Sequence, residues 1–482
     1  MNHSKSPSFT ANDTSISSDE YFSQRQLKQG SVGWILLIGL GVAYVISGDF
    51  AGWNFGLAQG GWGGMFIATI LVAIMYLCLC LSMSEMSTMM PTAGGGYSFA
   101  RLAFGPFGGY LTGTAILIEY AIAPAAIAVF IGAYCESLFG INGWMIYLAC
   151  YLIFMGIHLK GAGEALSIIF AITSIAVLAL IVFIAAMLPH FQFSNLFNIS
   201  TTSAAGANAF LPNGYIGIWA AVPFAIWFFL AVEGVPLAAE EAKEPQKSLP
   251  RGLIGAMLIL TTFALLILIL GVGAAGADTL KNSGAPLVDA LITVYGKDSW
   301  LATFVNFVGL AGLIASFFSI IYAYSRQIFA LSRAGYLPTS LSLTNKNKAP
   351  YLAIIIPGII GFFLSLTKQG DALILIAVFG ATISYVLILL SHIKLRFSKP
   401  DMPRPYKTPG GILTSSVALI LAIAAVIAGF VVNPEVWFIA ATIYAVFIAY
   451  FLLYSRYHLI KGTPEEEFAN IKSAEQRLKE EG

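Results

Sequence analysis

The sequence predicts an all-α integral membrane protein with about twelve transmembrane helices, and three observations predict it. Apolar runs of about 20 residues, the length that crosses a hydrocarbon core of roughly 30 Å, recur from end to end. Of the 482 residues 58% are hydrophobic and only 10% are charged, and the mean hydropathy is +0.81, far too apolar for a soluble domain. Basic residues, finally, collect in alternate connections between the runs.

In chain order the expected spans are 33–58, 63–89, 107–136, 143–158, 165–188, 215–239, 252–275, 300–331, 351–367, 372–394, 412–432 and 436–456. Numbered this way, only Lys281, Lys297 and Lys368 fall on one side. The other Lys and Arg, among them Lys28, Arg101, Lys160, Lys243, Arg251, Arg333, Lys348 and Arg404, fall on the opposite side or at helix ends leading to it. By the positive-inside rule that side is cytoplasmic, so both termini are expected there and the span count is even. Residues 1–30 are polar, without the short apolar core of a signal peptide, and read as a disordered cytoplasmic head. Residues 463–482 are rich in Glu and Lys and read as a solvated cytoplasmic tail.

Other classes find little support. The net charge of +1 offers no basic surface for nucleic acid. Cys78 and Cys80 are two apart on a helix and point to nearly opposite sides, so they cannot chelate a metal together; with Cys135 and Cys150 they read as buried small hydrophobes. His158, His190, His392 and His458 sit near span ends, where interfacial polar tips are expected. Glu85 and Glu164 are read the same way. Gly271-Val-Gly273-Ala-Ala-Gly276 matches a dinucleotide fingerprint but follows an apolar helix rather than a strand, which marks a chance match. With no P-loop, nucleophile elbow or metal-binding helix, neither enzyme activity nor a cofactor or metal is expected.

Two places carry chemistry. In the first span Ser47-Gly48-Asp49-Phe50-Ala51-Gly52-Trp53-Asn54 sets an acid between glycines. An acid at membrane depth is expensive, so it faces a cavity, a partner or an ion, and the glycines let the helix unwind. In the sixth span Phe228-Phe229-Leu230-Ala231-Val232-Glu233-Gly234-Val235-Pro236 repeats the device. Interrupted helices five spans apart are what an inverted repeat of two five-helix units produces, with a binding site at the midplane and spans eleven and twelve outside the repeat.

These features resemble the amino acid, polyamine and organocation transporters. The resemblance covers nearly the whole apolar chain. It rests on both breaks, on Pro91-Thr-Ala-Gly94-Gly95-Gly96-Tyr97-Ser-Phe-Ala-Arg101 before span three, and on Glu241-Ala-Lys243-Glu-Pro245-Gln-Lys247-Ser-Leu-Pro250-Arg251 after span six. More narrowly, Tyr44-Val-Ile-Ser-Gly-Asp-Phe-Ala-Gly-Trp-Asn-Phe-Gly-Leu-Ala-Gln-Gly-Gly-Trp-Gly-Gly64 and Thr112-Gly-Thr-Ala-Ile-Leu-Ile-Glu-Tyr-Ala-Ile-Ala-Pro-Ala-Ala126 look like the bacterial ethanolamine permeases. The resemblance implies a LeuT-type fold in a bacterial-type inner membrane and transport of a small amino alcohol.

In relatives that carry amino acids, the resemblance implies, the unwound first span holds the substrate carboxylate through free N–H groups and a helix dipole. Asp49 would repel that group at a cost on the order of several kcal/mol, and a substrate with an ammonium and no carboxylate avoids the conflict. Ser47, Gly48, Gly52 and Trp53 share the break with it. Glu119, roughly 18 Å along span three from Phe107, lies near mid-membrane and is expected to share the ammonium with Asp49. Two such carboxylates hold one proton between them, a route to proton coupling. Glu233 is assigned to gating, proton handling or cargo contact. The aromatic candidates are Trp53, Tyr120, Trp227, Phe228 and Phe229, whose faces attract a small cation. The structural alternatives are a cap by Asp49 on the downstream half-helix, a brace by Glu119, and packing for the aromatics. Span five lacks the lysine that serves proton coupling in some members. Ser316 and Ser319 are candidates for holding sodium or lining the site, or for helix packing.

The resulting reading divides the chain into a head (1–30), a transport core of ten helices (31–396), helices eleven and twelve (397–458) and a tail (459–482). Its function is secondary uptake of ethanolamine coupled to protons. A neutral or cationic amino acid permease is the alternative, and an amine-binding membrane sensor a more distant one.

Overall fold

The computed structural model describes residues 32–141 and 143–460. The expected head, with Lys28, and the tail from 463 onward lie outside the described residues, as do the side chains of 162–167, Glu164 among them. Twelve principal helices run in order: α1 Trp34–Val45, α2 Phe55–Met89, α3 Gly96–Phe139, α4 Trp144–His158, α5 Ala162–Met187, α6 Gly214–Trp227, α7 Pro245–Leu266, α8 Trp300–Arg333, α9 Tyr351–Ser365, α10 Gly370–Ser398, α11 Ile412–Val432 and α12 Pro434–Leu453. Among the described residues nine helical stretches are long and apolar enough to cross a membrane. Of four shorter apolar helices, α1, α4 and α9 coincide with expected spans, while Pro286–Tyr295 folds in the α7–α8 connection, where no span is expected.

Two helix starts differ from expectation for one reason: helices continue through bends. α2 begins at Phe55 because the last residues of the expected first span run into the second through a kink at Gly61. α3 begins at Gly96, in the glycine-rich run, and bends at Gly105 close to the expected start of the span. α7 passes through a π-turn, Ile267–Gly271, into a last turn, Val272–Ala275, so the apparent nucleotide motif is a helix end.

The core is built from α3 lying along α10 and α8, α2 along α6 and α7, and α1 along α7. Small residues permit the close approach that lipid cannot drive hydrophobically. A Cβ on Gly380 of α10, for instance, would stand 2.5 Å from the Ala115 carbonyl of α3. α11 and α12 sit at the edge, against α2, α6 and α10 and against α3 and α10 respectively. Their outer faces leave Leu413, Ile420, Phe438 and Val446 exposed, the signature of helices that meet lipid.

Several polar residues expected at the interface are buried instead. Glu85 is fully buried: it accepts hydrogen bonds from Arg396 (Nη2 2.5 Å, Nε 3.0 Å), Arg404 (Nε 3.0 Å) and the Thr408 N–H (2.7 Å), with His392 at 3.4 Å. The cause is the connection after α10, where Pro400, Pro403, Pro405 and Pro409 prevent helix and fold the chain back over α2. Arg404 also donates to the Leu395 and Lys399 carbonyls, so it closes the end of α10 while it neutralises Glu85. His392 bonds Ser415 of α11 through Nδ1 (2.6 Å), and His158 stacks on Phe318 and bonds its carbonyl (2.8 Å). At the same end as the Gly94–Gly96 run, Glu241 pairs with Arg326 (2.9 Å) and accepts from Tyr322, and Glu240 pairs with Arg333 (2.9 Å) and takes the Ala93 N–H (3.0 Å). The four cysteines are free thiols, three of them buried.

Candidate functional site

At the first break α1 ends at Val45, a single turn spans Ser47–Phe50, and the chain then leaves helical geometry: Ala51 is extended (φ −159°, ψ 157°) and Gly52 has φ 98°. Only glycine takes that second conformation without strain. Gly48 serves a different need, since a Cβ there would stand 2.3 Å from the Trp227 carbonyl at the end of α6. The sequence thus brings the two interrupted helices into backbone contact.

Backbone groups freed by the break are taken up by side chains, as burial demands. Tyr134 of α3 donates to the Phe50 carbonyl (2.9 Å), and Trp227 Nε1 donates to the Ala51 carbonyl (3.0 Å). Ser316 of α8 donates to the Ala43 carbonyl (2.7 Å) and accepts the Ser47 N–H (2.9 Å). Asn54 accepts the Gly52 N–H (3.2 Å) and donates through Nδ2 to the carbonyls of Leu280 and Ser283 (2.8 Å each), fastening the break to the α7–α8 connection. Asp49 takes no part in this: it is fully buried and neither carboxyl oxygen has a hydrogen-bond partner. The capping role considered for it is not seen, and Asn54 is the side chain that holds the break.

At the second break α6 stops at Trp227 and Ala231 takes a left-handed conformation (φ 77°), after which Val232–Glu241 forms a 3₁₀ helix. For a residue with a Cβ that geometry costs about 1–2 kcal/mol, held here by the surrounding packing. Glu233 accepts a hydrogen bond from the Tyr385 hydroxyl of α10 (3.1 Å), which in turn lies 2.6 Å from the Tyr76 hydroxyl of α2. The Glu119 carboxyl lies against that of Glu233, and the Ala231 N–H is beside both acids. Neither Glu119 oxygen, nor Glu233 Oε2, reaches hydrogen-bonding geometry with a donor. A Cβ on Gly234 would stand 3.0 Å from the Tyr120 hydroxyl.

The expectation that Glu119 faces Asp49 is therefore corrected. Its place on α3 turns it to α10 and the sixth-span break, and the acid it meets is Glu233. Between the two acid regions lies an aromatic layer: Trp53 stacks on Phe228 (5.6 Å, 18°), Phe228 adjoins Phe229 (6.2 Å), and Phe229 contacts Tyr76 (5.5 Å). Trp53 Nε1 is buried without a partner. Ser47, Gly48, Asp49, Gly52, Trp53 and Trp227 thus gather at one break, and Glu119, Tyr120 and Glu233 at the other, with Phe228 and Phe229 between. Ser316 meets first-span carbonyls as expected, but its hydroxyl is spent bracing them; Ser319 donates to the Ser316 carbonyl within its own helix (3.0 Å).

Asn54, Tyr76 and Tyr385 were not singled out by sequence. Asn54 carried a signal, a polar side chain inside an apolar break, whereas two tyrosines in a chain with 21 of them carry none. Chemically, a buried carboxyl without a donor is costly in its charged form unless it is protonated or meets a cation. Among the described residues no group of three His, Cys, Asp or Glu side chains is placed to hold a metal.

Comparison with known proteins bears on this geometry. The profile of a family described as amino acid permease matches residues 32–453. An uncharacterized transporter of Rhizobium meliloti is 28% identical over 401 residues, covering 81% of this chain and 84% of its own length. A branched-chain amino acid permease of Bacillus subtilis is 25% identical over 456 residues (88% and 92%). A D-serine/D-alanine/glycine transporter of Escherichia coli is 26% identical over 347 residues (67% and 71%).

Proposed function

The chain belongs to the amino acid permease family, and from that premise we propose that it imports ethanolamine, or a closely similar small amino alcohol, as its ammonium ion. Uptake is secondary and coupled to protons, and proceeds by alternating access across a bacterial-type inner membrane with both termini in the cytoplasm. The architecture this implies is twelve spans in a LeuT-type arrangement: an inverted repeat within 31–396, with two further helices in 397–458. Helices α1, α4 and α9 complete the count when taken as short or broken spans.

The observation that carries the substrate class is Asp49, buried in the first break with both oxygens unpartnered. An amino acid zwitterion seated on this break would bring its carboxylate beside a carboxylate in a water-poor site, whereas an amino alcohol brings only the ammonium that Asp49 lacks. Trp53 and Phe228 supply the aromatic faces. The adjoining Glu119 and Glu233 carry the coupling proton, since two carboxyls in contact cannot both ionise cheaply. Ser316 and Ser319 are already hydrogen-bonded, which favours protons over sodium.

A second reading, uptake of a neutral or cationic amino acid, is favoured by the relatives, two of which are named for amino acid substrates. Purified protein in proteoliposomes separates the two. Concentrative uptake of labelled ethanolamine under an inward proton gradient, resistant to excess alanine or arginine, is the expected result. Uptake blocked by those amino acids and indifferent to unlabelled ethanolamine would transfer the assignment to the second reading.

A further inference from the structure

The return of the chain from α10 to α11 carries chemistry that neither break uses. Five basic residues fall between 394 and 407, namely Lys394, Arg396, Lys399, Arg404 and Lys407, against a single acid, Asp401. Buried Glu85 of α2 answers one more charge, so three positive charges are left over. Lys394 rests over the Phe104 ring (4.6 Å). Arg404 is spent: Nε bonds Glu85, Nη1 the carbonyls of Pro400 and Met402, and Nη2 those of Leu395 and Lys399, one acceptor for each of its five N–H groups. Arg396 is not. Its Nε and Nη2 hold Glu85, while Nη1 lies against Gly411, 2.8 Å from where a Cβ there would stand, and bonds nothing among the described residues. Lys407 is exposed.

These groups meet in one open cavity of about 510 Å³, walled by Arg396, Asp401, Arg404 and Lys407 and by Pro400 and Pro403. The prolines and the carbonyl bonds of Arg404 fix that wall in advance, so a ligand does not have to order it. The cavity is remote from both acids of the sixth-span break, roughly 16 Å along α10 from Tyr385 at the helical rise. Its flanks are apolar and open: Phe397 is exposed at the end of α10, and α11 starts at once with exposed Leu413, followed on the same helical face by Val417, Ile420, Ile427 and Val431. A cationic hollow at the head of a lipid-facing stripe matches a molecule with phosphate at one end and hydrocarbon at the other. We propose that this cavity binds the headgroup of an anionic phospholipid, with Arg396 and Lys407 donating to its phosphate and the α11 stripe lying along its acyl chain. Asp401 is left to accept from a headgroup hydroxyl. A soluble phosphate ester shares the head chemistry but makes no use of the stripe.

Purified protein in detergent, titrated with phosphatidylglycerol and read by native mass spectrometry, tests the site. It is expected to retain phosphatidylglycerol and to discriminate against phosphatidylethanolamine and phosphatidylcholine. Lys407→Gln, at an exposed position, should weaken phosphatidylglycerol binding about fivefold, the worth of one basic residue beside an anionic headgroup. Arg396→Lys keeps a cation for Glu85 but gives up Nη1, and should weaken binding comparably. Lys346→Gln removes an equal charge from the exposed α8–α9 connection, outside the cavity, and should change binding by less than about twofold. Equal retention of the three lipids, unchanged affinity in Lys407→Gln, or equal losses in Lys407→Gln and Lys346→Gln would overturn the proposal, the last by reducing the site to diffuse surface charge. Displacement of phosphatidylglycerol by millimolar inorganic phosphate would overturn it too, by giving the cavity to a soluble phosphate.

Discussion

In the first break four side chains, Tyr134, Trp227, Asn54 and Ser316, hold the backbone while the acid among them, Asp49, meets no donor. In the sixth the arrangement is reversed: the acid, Glu233, is held by Tyr385 and lies against Glu119, while the backbone turns through a left-handed alanine that no glycine relieves. Both are interrupted helices carrying a carboxylate, and sequence alone makes them look alike. The difference is what each acid meets. Asp49 meets no hydrogen-bond donor among the described residues, whereas Glu233 has a hydroxyl donor and a second acid as its neighbour.

Four substitutions test that contrast, beginning with the one of greatest effect. Asp49→Asn keeps the shape of the side chain and removes its charge; because an uncompensated buried charge is worth about 3–5 kcal/mol, ethanolamine binding measured by calorimetry should weaken at least about a hundredfold. Unchanged affinity in a folded variant would mean that the two breaks do not differ as described. Glu119→Gln comes next. It should cost about tenfold or more in uptake driven by a pH gradient while exchange of labelled for unlabelled cargo persists, and equal loss of both activities would place Glu119 with the cargo. Asn54→Ala removes three hydrogen bonds, one within the break and two to the α7–α8 connection. At about 1 kcal/mol each this lowers thermal stability in detergent by several degrees and slows uptake several-fold, whereas a silent variant would show that the break needs no such fastening. The smallest effect is expected from Trp53→Phe, which keeps a ring over Phe228 but weakens the cation–π face. A two- to about fivefold rise in the half-saturating ethanolamine concentration is expected, with maximal rate preserved.

Much of this architecture is legible in the chain because its causes are local. Span lengths follow from hydrocarbon thickness, and the breaks announce themselves through Gly48, Asp49, Gly52, Glu233 and Gly234. What was not legible depends on which helices become neighbours. Glu119 reads as a mid-membrane acid from its distance along α3, but nothing in its own sequence says that α10 and the sixth-span turn, rather than the first break, lie against that face. The same is true of Tyr76 and Tyr385, ordinary aromatics until helices three hundred residues apart are packed together. Glu85 and His392 look interfacial because they stand near helix ends; only the proline-rich return of the chain over α2 buries them. The α7–α8 connection hides its helix, Pro286–Tyr295, because it is short and flanked by polar turns.

The Glu85 cluster has a consequence for the history of the sequence. One carboxylate there answers two guanidinium groups contributed from about 310 residues further along the chain, and a backbone N–H and an imidazole share it. Losing Glu85 alone strands Arg396 and Arg404 facing each other; losing either arginine alone leaves the other to balance the acid. Evolution can therefore walk away from the arginines one at a time but can surrender the glutamate only last. Among homologues, chains without an acid at this position should already lack both bases, and chains with a single base should still keep the acid.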